Sequence, residues 1–118
     1  LYTIVRIKSI LNKYKDNGGT LEGLSIRPAG SASEKALMLE LARFNSVMEN
    51  AFEEIAPHKI CSYIYDLANE FNHFYHETKI IAEEDKKKQA GYISLVTLTR
   101  DVLMTCINVL GFSAPERM

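Results

Sequence analysis

Two cysteines, three prolines and no tryptophan occur in this 118-residue chain, and acidic and basic residues nearly cancel at a net charge of -1. Each shortage closes a route. Cys61 and Cys106 are too few to staple a small secreted fold, and both lie in helical patterns rather than turns. They are expected to be reduced, small core residues. The near-zero charge removes the simplest argument for a nucleic-acid partner, a strongly basic domain. The longest apolar stretch, 102–112, is interrupted by Thr105 and Asn108, far short of the roughly 20 residues of a spanning helix. Residues 1–15 carry Arg6, Lys8, Lys13 and Lys15 among their apolar positions, which is not the pattern of a signal peptide. A soluble, cytoplasmic protein with no membrane partner is expected.

What remains has a globular composition, 47% hydrophobic and 25% charged. That argues against disorder and repeats, and at this length for one domain, 1–118, with a core of its own. Helical periodicity dominates. Ile4, Ile7, Leu11 and Tyr14 form a stripe that Asp16-Asn17-Gly18-Gly19 stops, since Asn and Gly tolerate a left-handed cap. Residues 20–33, with Gly23, Pro28 and Gly30, read as a connecting loop. Ser33 is the expected cap of a helix over 34–43, and Asn45 or Ser46 of the next. Pro57 suits a first helical turn, after which Ile60, Ile64, Leu67, Phe71, Phe74 and Thr78 run for about six turns. Glu83, Glu84 and Asp85 mark the start of a last helix, whose dipole they favour. Its apolar face runs from Tyr92 through Cys106 to Ile107 and Leu110, with Gly111 as cap. The expected fold is all-α, a bundle of about five helices.

Charge is uneven over this layout. Residues 1–30 hold five basic and two acidic residues, whereas 31–56 hold two basic and five acidic. The first helix is thus the one modestly cationic element, either a solvated face or a phosphate-facing surface.

Catalytic constellations are missing. There is no Gly-x-Ser-x-Gly elbow, no phosphate-binding glycine loop and no Cys-x-x-Cys. Glu70-x-x-His73 is half of a di-iron motif, with His76 extending the row, but no second Glu-x-x-His complements it. No metal is expected. Aromatics offer more: Tyr63, Tyr65, Phe71, Phe74 and Tyr75 share one helix, with Tyr2 and Tyr92 on others. Most belong in the core, but any left at the surface would stack on unpaired bases, as single-stranded RNA loops are read. Tyr63 and Tyr65, about 200° apart around a helix, cannot both point inward.

Several strings are similar to one family. Pro57-His58-Lys59-Ile60, Tyr63-Ile64-Tyr65-Asp66-Leu67-Ala68 and Phe71-Asn72-x-Phe74-Tyr75 resemble the C-terminal helical domain of arginyl-tRNA synthetases, which are class I enzymes. So do Arg6-Ile7-Lys8-Ser9-Ile10-Leu11, Leu39-Glu40-Leu41-Ala42-Arg43-Phe44 and the closing Pro115-Glu116-Arg117-Met118. The resemblance covers the chain outside about 15–33. It implies an anticodon-binding domain cut from a larger enzyme, with Leu1 falling inside the first helix. The expected partners are arginine tRNA, through its anticodon loop, and a catalytic domain of the same chain, but not DNA. The fragment itself would need no cofactor, whereas the parent would use ATP, with magnesium, to attach arginine to its tRNA.

The resemblance also implies site residues. Tyr2 and Arg6 match the tyrosine and arginine of the family's Tyr-Ala-His-Ala-Arg string, Tyr75 the tyrosine of Phe-Asn-x-Phe-Tyr, and Met118 the terminal methionine. Arginine anticodons mostly carry a central cytosine, whose exocyclic amino group needs an acceptor; a carboxylate at Met118 would supply one. Ile4 and Val5 depart from the family's His and Ala, and Asn45-Ser46 from its Pro-Glu. A helical protein-interaction module without RNA binding, or a carboxylate–histidine metal bundle, is the alternative on composition and periodicity alone.

Overall fold

The computed structural model describes residues 2–19 and 30–113, the last two by their backbone alone. The described residues form five α-helices and no strand: α1 (Tyr2–Asp16), α2 (Ala32–Ala42), α3 (Phe44–Glu53), α4 (Pro57–Glu77) and α5 (Lys86–Ser113). This is the all-α architecture that the periodicity predicts. Only Arg43, itself in helical geometry, separates α2 from α3. The greater part of the 20–33 loop lies outside the described residues.

The helix ends show which local signals decided. At the end of α1 the Gly19 amide reaches back to the Tyr14 carbonyl (3.0 Å) and the Gly18 amide to that of Lys15 (3.0 Å). This double closure needs a left-handed residue, and Gly18 supplies it at φ +89°. Gly19 is required for space as well, since a Cβ there would lie 2.5 Å from the Tyr14 ring. Ser31 rather than Ser33 caps α2: its extended backbone lets Oγ accept from the Glu34 amide at 3.2 Å, while Ser33 is buried within the first turn. Neither Asn45 nor Ser46 caps α3, because the α2 geometry carries through Arg43, whose carbonyl already takes the Val47 amide at 3.0 Å. Pro57 opens α4. Asp85 caps α5, its Oδ1 accepting from the amides of Lys87 (2.9 Å) and Lys88 (3.3 Å). Gly111 lies inside α5 and does not end it.

α4 is the spine, touching each of the other four helices. Its inner stripe is Ile60, Tyr63, Leu67, Ala68, Phe71 and Phe74, with the expected Ile64 and Thr78 only half-buried at its margins. Tyr63 is 1% exposed and Tyr65 68%, the division that their angular separation demands. The Tyr63 hydroxyl donates to the Glu40 carbonyl at 2.7 Å, a second donor to an acceptor at the end of α2 that also takes the Arg43 amide at 3.2 Å. Burial drives this phenol's pKa well above the ordinary tyrosine range, so it remains a neutral donor.

α5 revises one expectation. Its segment Lys86–Gly111 is 26 residues long and contains an 18-residue window of mean hydropathy 1.5, enough to cross a bilayer by length and composition, with 39% of that window buried. In this fold that apolarity serves the core: Ile93, Leu95, Val96, Leu103 and Cys106 are at most 1% exposed, and α5 packs on α1, α2 and α4. Ile107, expected on this face, is instead exposed. The cysteines divide too. Cys106 is buried, but Cys61 is exposed, because it follows Ile60 by one residue and so turns about 100° off the inner stripe.

Three outcomes test this packing. Phe71 is fully buried, so Phe71→Ala should cost about 3–5 kcal/mol in a urea titration. Burial pushes the Cys106 thiol up to about 11, leaving little thiolate at pH 8; a thiol reagent should label Cys61 in the folded protein and Cys106 only after denaturation. Ile55, 88% exposed, closes α3 at φ 50°, a left-handed conformation that strains a β-branched residue. Ile55→Gly should therefore stabilise by up to about 1 kcal/mol, read as a raised Tm.

Candidate nucleic-acid interface

Helical spacing builds the site from two elements. On α1, Tyr2 and Arg6 stand four residues apart and share a face. On α4, Asn72 and Tyr75 stand three apart and share another. Where the helices meet, the Arg6 guanidinium lies between two tyrosines, 4.9 Å from the Tyr2 ring centroid and 4.6 Å from that of Tyr75. Arg6 Nη1 donates to Asn72 Oδ1 at 3.2 Å, and Nη2 to the Tyr2 hydroxyl at 3.0 Å. A cation over a tyrosine face contributes about 0.5–1 kcal/mol at an exposed site, and the two hydrogen bonds set the plane of the guanidinium between the rings.

The arrangement is rooted in the core. Tyr75 lies nearly parallel to Phe71, with centroids 6.5 Å apart and planes 21° apart, and Phe71 has no exposed surface. From inside outward the order is Phe71, Tyr75, Arg6, Tyr2, and Tyr2 ends the column at 69% exposure. Three of the four site residues expected from the sequence, Tyr2, Arg6 and Tyr75, are thus brought into contact. Met118, the fourth, lies outside the described residues.

The column forms part of the wall of a cleft of about 710 Å³ whose floor and far side come from α1 and the α4–α5 connector. Arg6, Lys13 and Lys79 line it, and among the described residues no carboxylate side chain does. Of the two departures on α1, Ile4 is buried in the core and Val5 is 65% exposed on the cleft wall. A cleft with positive charge along its sides and aromatic faces at its rim suits an unpaired nucleotide segment, which offers phosphates to the one and bases to the other.

Other aromatics are spent elsewhere. Tyr92 packs edge-on against Phe74, with centroids 5.8 Å apart, and burial followed by the charges of Glu34 and Glu83 raises its phenol pKa. Among the described residues no three His, Cys, Asp or Glu side chains converge as metal ligands. Glu54 pairs with Lys59 at 2.6 Å, a hydrogen bond that holds its carboxyl below the ordinary range. Asn72 is the residue sequence reasoning passed over. Its signal was its place three residues before Tyr75, but its partner Arg6 is 66 residues distant, and no local pattern reveals that pairing.

Comparison with known proteins identifies the family. A family model described as the DALR anticodon binding domain matches residues 1–118. The chain is 59% identical over 120 residues to an arginine–tRNA ligase of Agathobacter rectalis, covering all of this chain and 20% of that protein. It is 50% identical to an arginine–tRNA ligase of Alkaliphilus oremlandii, again over 100% of this chain and 20% of the relative. The corresponding protein of Burkholderia thailandensis is 36% identical over 99% of the chain and 20% of its own length. The chain thus spans about a fifth of the length of these relatives. With the family model matched along its whole length, this helical bundle belongs to the DALR anticodon-binding domain family.

Proposed function

We propose that this chain reads the anticodon loop of arginine tRNA as the RNA-binding domain of an arginine–tRNA ligase. The observation that carries the proposal is the column Tyr75–Arg6–Tyr2 at the rim of a cleft that, among the described residues, is lined by three cations and no carboxylate side chain. The relatives' names supply the amino acid. The column supplies the chemistry: the outermost ring, Tyr2, for stacking, backed by the planar Arg6 cation and Tyr75, with two hydrogen-bond acceptors, Asn72 Oδ1 and the Tyr2 hydroxyl, that fix the cation's orientation. Met118 belongs to the proposed site by resemblance and supplies a thioether to pack against the base.

The parent enzyme would be cytoplasmic and would join arginine to tRNA at the expense of ATP, with magnesium, in a catalytic domain of the same chain. The domain's own task is to bind and discriminate. Nothing in the proposed site forms or breaks a bond; its residues hold bases in place while the remainder of the enzyme works at the other end of the tRNA.

Removing the ring of Tyr75 tests this. Tyr75→Ala takes away the support beneath Arg6 and Tyr2 and should weaken binding of an arginine anticodon stem-loop by about 1–3 kcal/mol, the scale of the one base–aromatic stack that the column upholds. Arg6→Lys keeps the charge but loses the planar face, so it should lower affinity while leaving the salt dependence unchanged. Filter binding against a stem-loop with another anticodon, over a salt series, checks both. Equal affinity of wild type and both variants for the arginine stem-loop would refute the assignment.

A further inference from the structure

The connector between α4 and α5 has an organisation that the aromatic column does not explain. α4 stops at Thr78, whose backbone is extended, and the next helical residue is Lys86. Within this span Ile80 is only 4% exposed, which seats the connector in the core. Its neighbour Lys79 is exposed and lines the cationic cleft with Arg6 and Lys13. A turn seated on the core in this way must find donors for the carbonyls that water no longer reaches freely. One side chain serves two of them: Gln89, on the first turns of α5 and 7% exposed, donates from Nε2 to the Ile80 carbonyl at 3.1 Å and to the Ile81 carbonyl at 3.0 Å. Both amide hydrogens of Gln89 are thereby used, and its own backbone amide is tied to the Asp85 carbonyl at 2.9 Å. The connector is pinned from behind by α5, directly after the lysine it presents.

Resting on the anticodon-binding reading, we propose that this connector is the second wall of the RNA site, with Lys79 its phosphate contact and Gln89 the positioning residue that holds Lys79 at the cleft. The aromatic column engages bases, and the connector engages the backbone of the same strand. Lys79 has no ion pair among the described residues, so its charge is available to a phosphate. Without the Gln89 amide, the buried Ile80 carbonyl and the half-buried Ile81 carbonyl lose their donor; the connector then leaves its seat and Lys79 leaves the cleft.

A double-mutant cycle read through salt dependence separates this role from a general loss of stability. For a single strand, each phosphate contact contributes about 0.7 to the slope of log K against log salt. Lys79→Ala, an exposed change, should reduce that slope for the arginine anticodon stem-loop by about 0.7 and lower affinity. Gln89→Met keeps the volume but removes both donors, and should reproduce the same drop in slope. Combining the two should add nothing further. An unchanged slope in Lys79→Ala overturns the proposal, as do independent, additive losses in the double variant. If Gln89→Met does not fold, Lys79→Ala alone still decides the phosphate contact. If Tyr75→Ala weakens binding while the Lys79 and Gln89 variants match wild type, the anticodon reading stands and the connector proposal falls. If the wild-type chain binds no stem-loop, both fall together.

Discussion

The fold and the site depend on one packing decision, the burial of Phe71 at the centre of α4. With no exposed surface, Phe71 fixes the rotation of α4 about its own axis, and that rotation brings Tyr75 to the margin where α1 crosses. Tyr75 then lies nearly parallel to Phe71 and offers its other face to Arg6. The surface group proposed to meet RNA is therefore braced by the hydrophobic core through ring-to-ring contact, not carried on a loop. Preorganisation of this kind lowers the ordering cost that a stacking site would otherwise meet on binding.

A domain with a net charge of -1 can still present a cationic surface. Arg6 and Lys13 of α1 and Lys79 of the connector line one cleft, while acidic residues gather elsewhere, at the far end of the connector and around α2. Whole-chain charge governs long-range steering. It does not measure local complementarity over the few nucleotides that such a cleft could hold. Stacking on tyrosine faces reduces the dependence on charge further, because every base has a π-face.

Periodicity made the helices legible, since five amphipathic stripes leave no other way to bury Ile7, Leu37, Leu67, Phe71 and Leu103. It also separated Tyr63 from Tyr65. The capping residues were less legible: Ser31 and Ser33 carry the same side chain, and only backbone geometry chose between them. Ile55 closes α3 in a conformation that its side chain disfavours, so no propensity rule could have found it. The site was legible mainly through resemblance, which named Tyr2, Arg6 and Tyr75 before their contact was visible. Asn72 and Gln89 escaped because each acts on a group that local pattern does not connect to it: a guanidinium 66 residues away and a pair of connector carbonyls.

The central claim is that the Tyr75–Arg6–Tyr2 column is the surface that meets RNA. An NMR titration of the isotopically labelled chain with an arginine anticodon stem-loop tests it most directly, by following the ring signals of Tyr2 and Tyr75 and the side-chain Nε–H of Arg6. The account predicts that these three move first and furthest, with the exposed α3 corner at Phe52 and Ile55 unperturbed. Shifts concentrated at that corner, with the column silent, would contradict it.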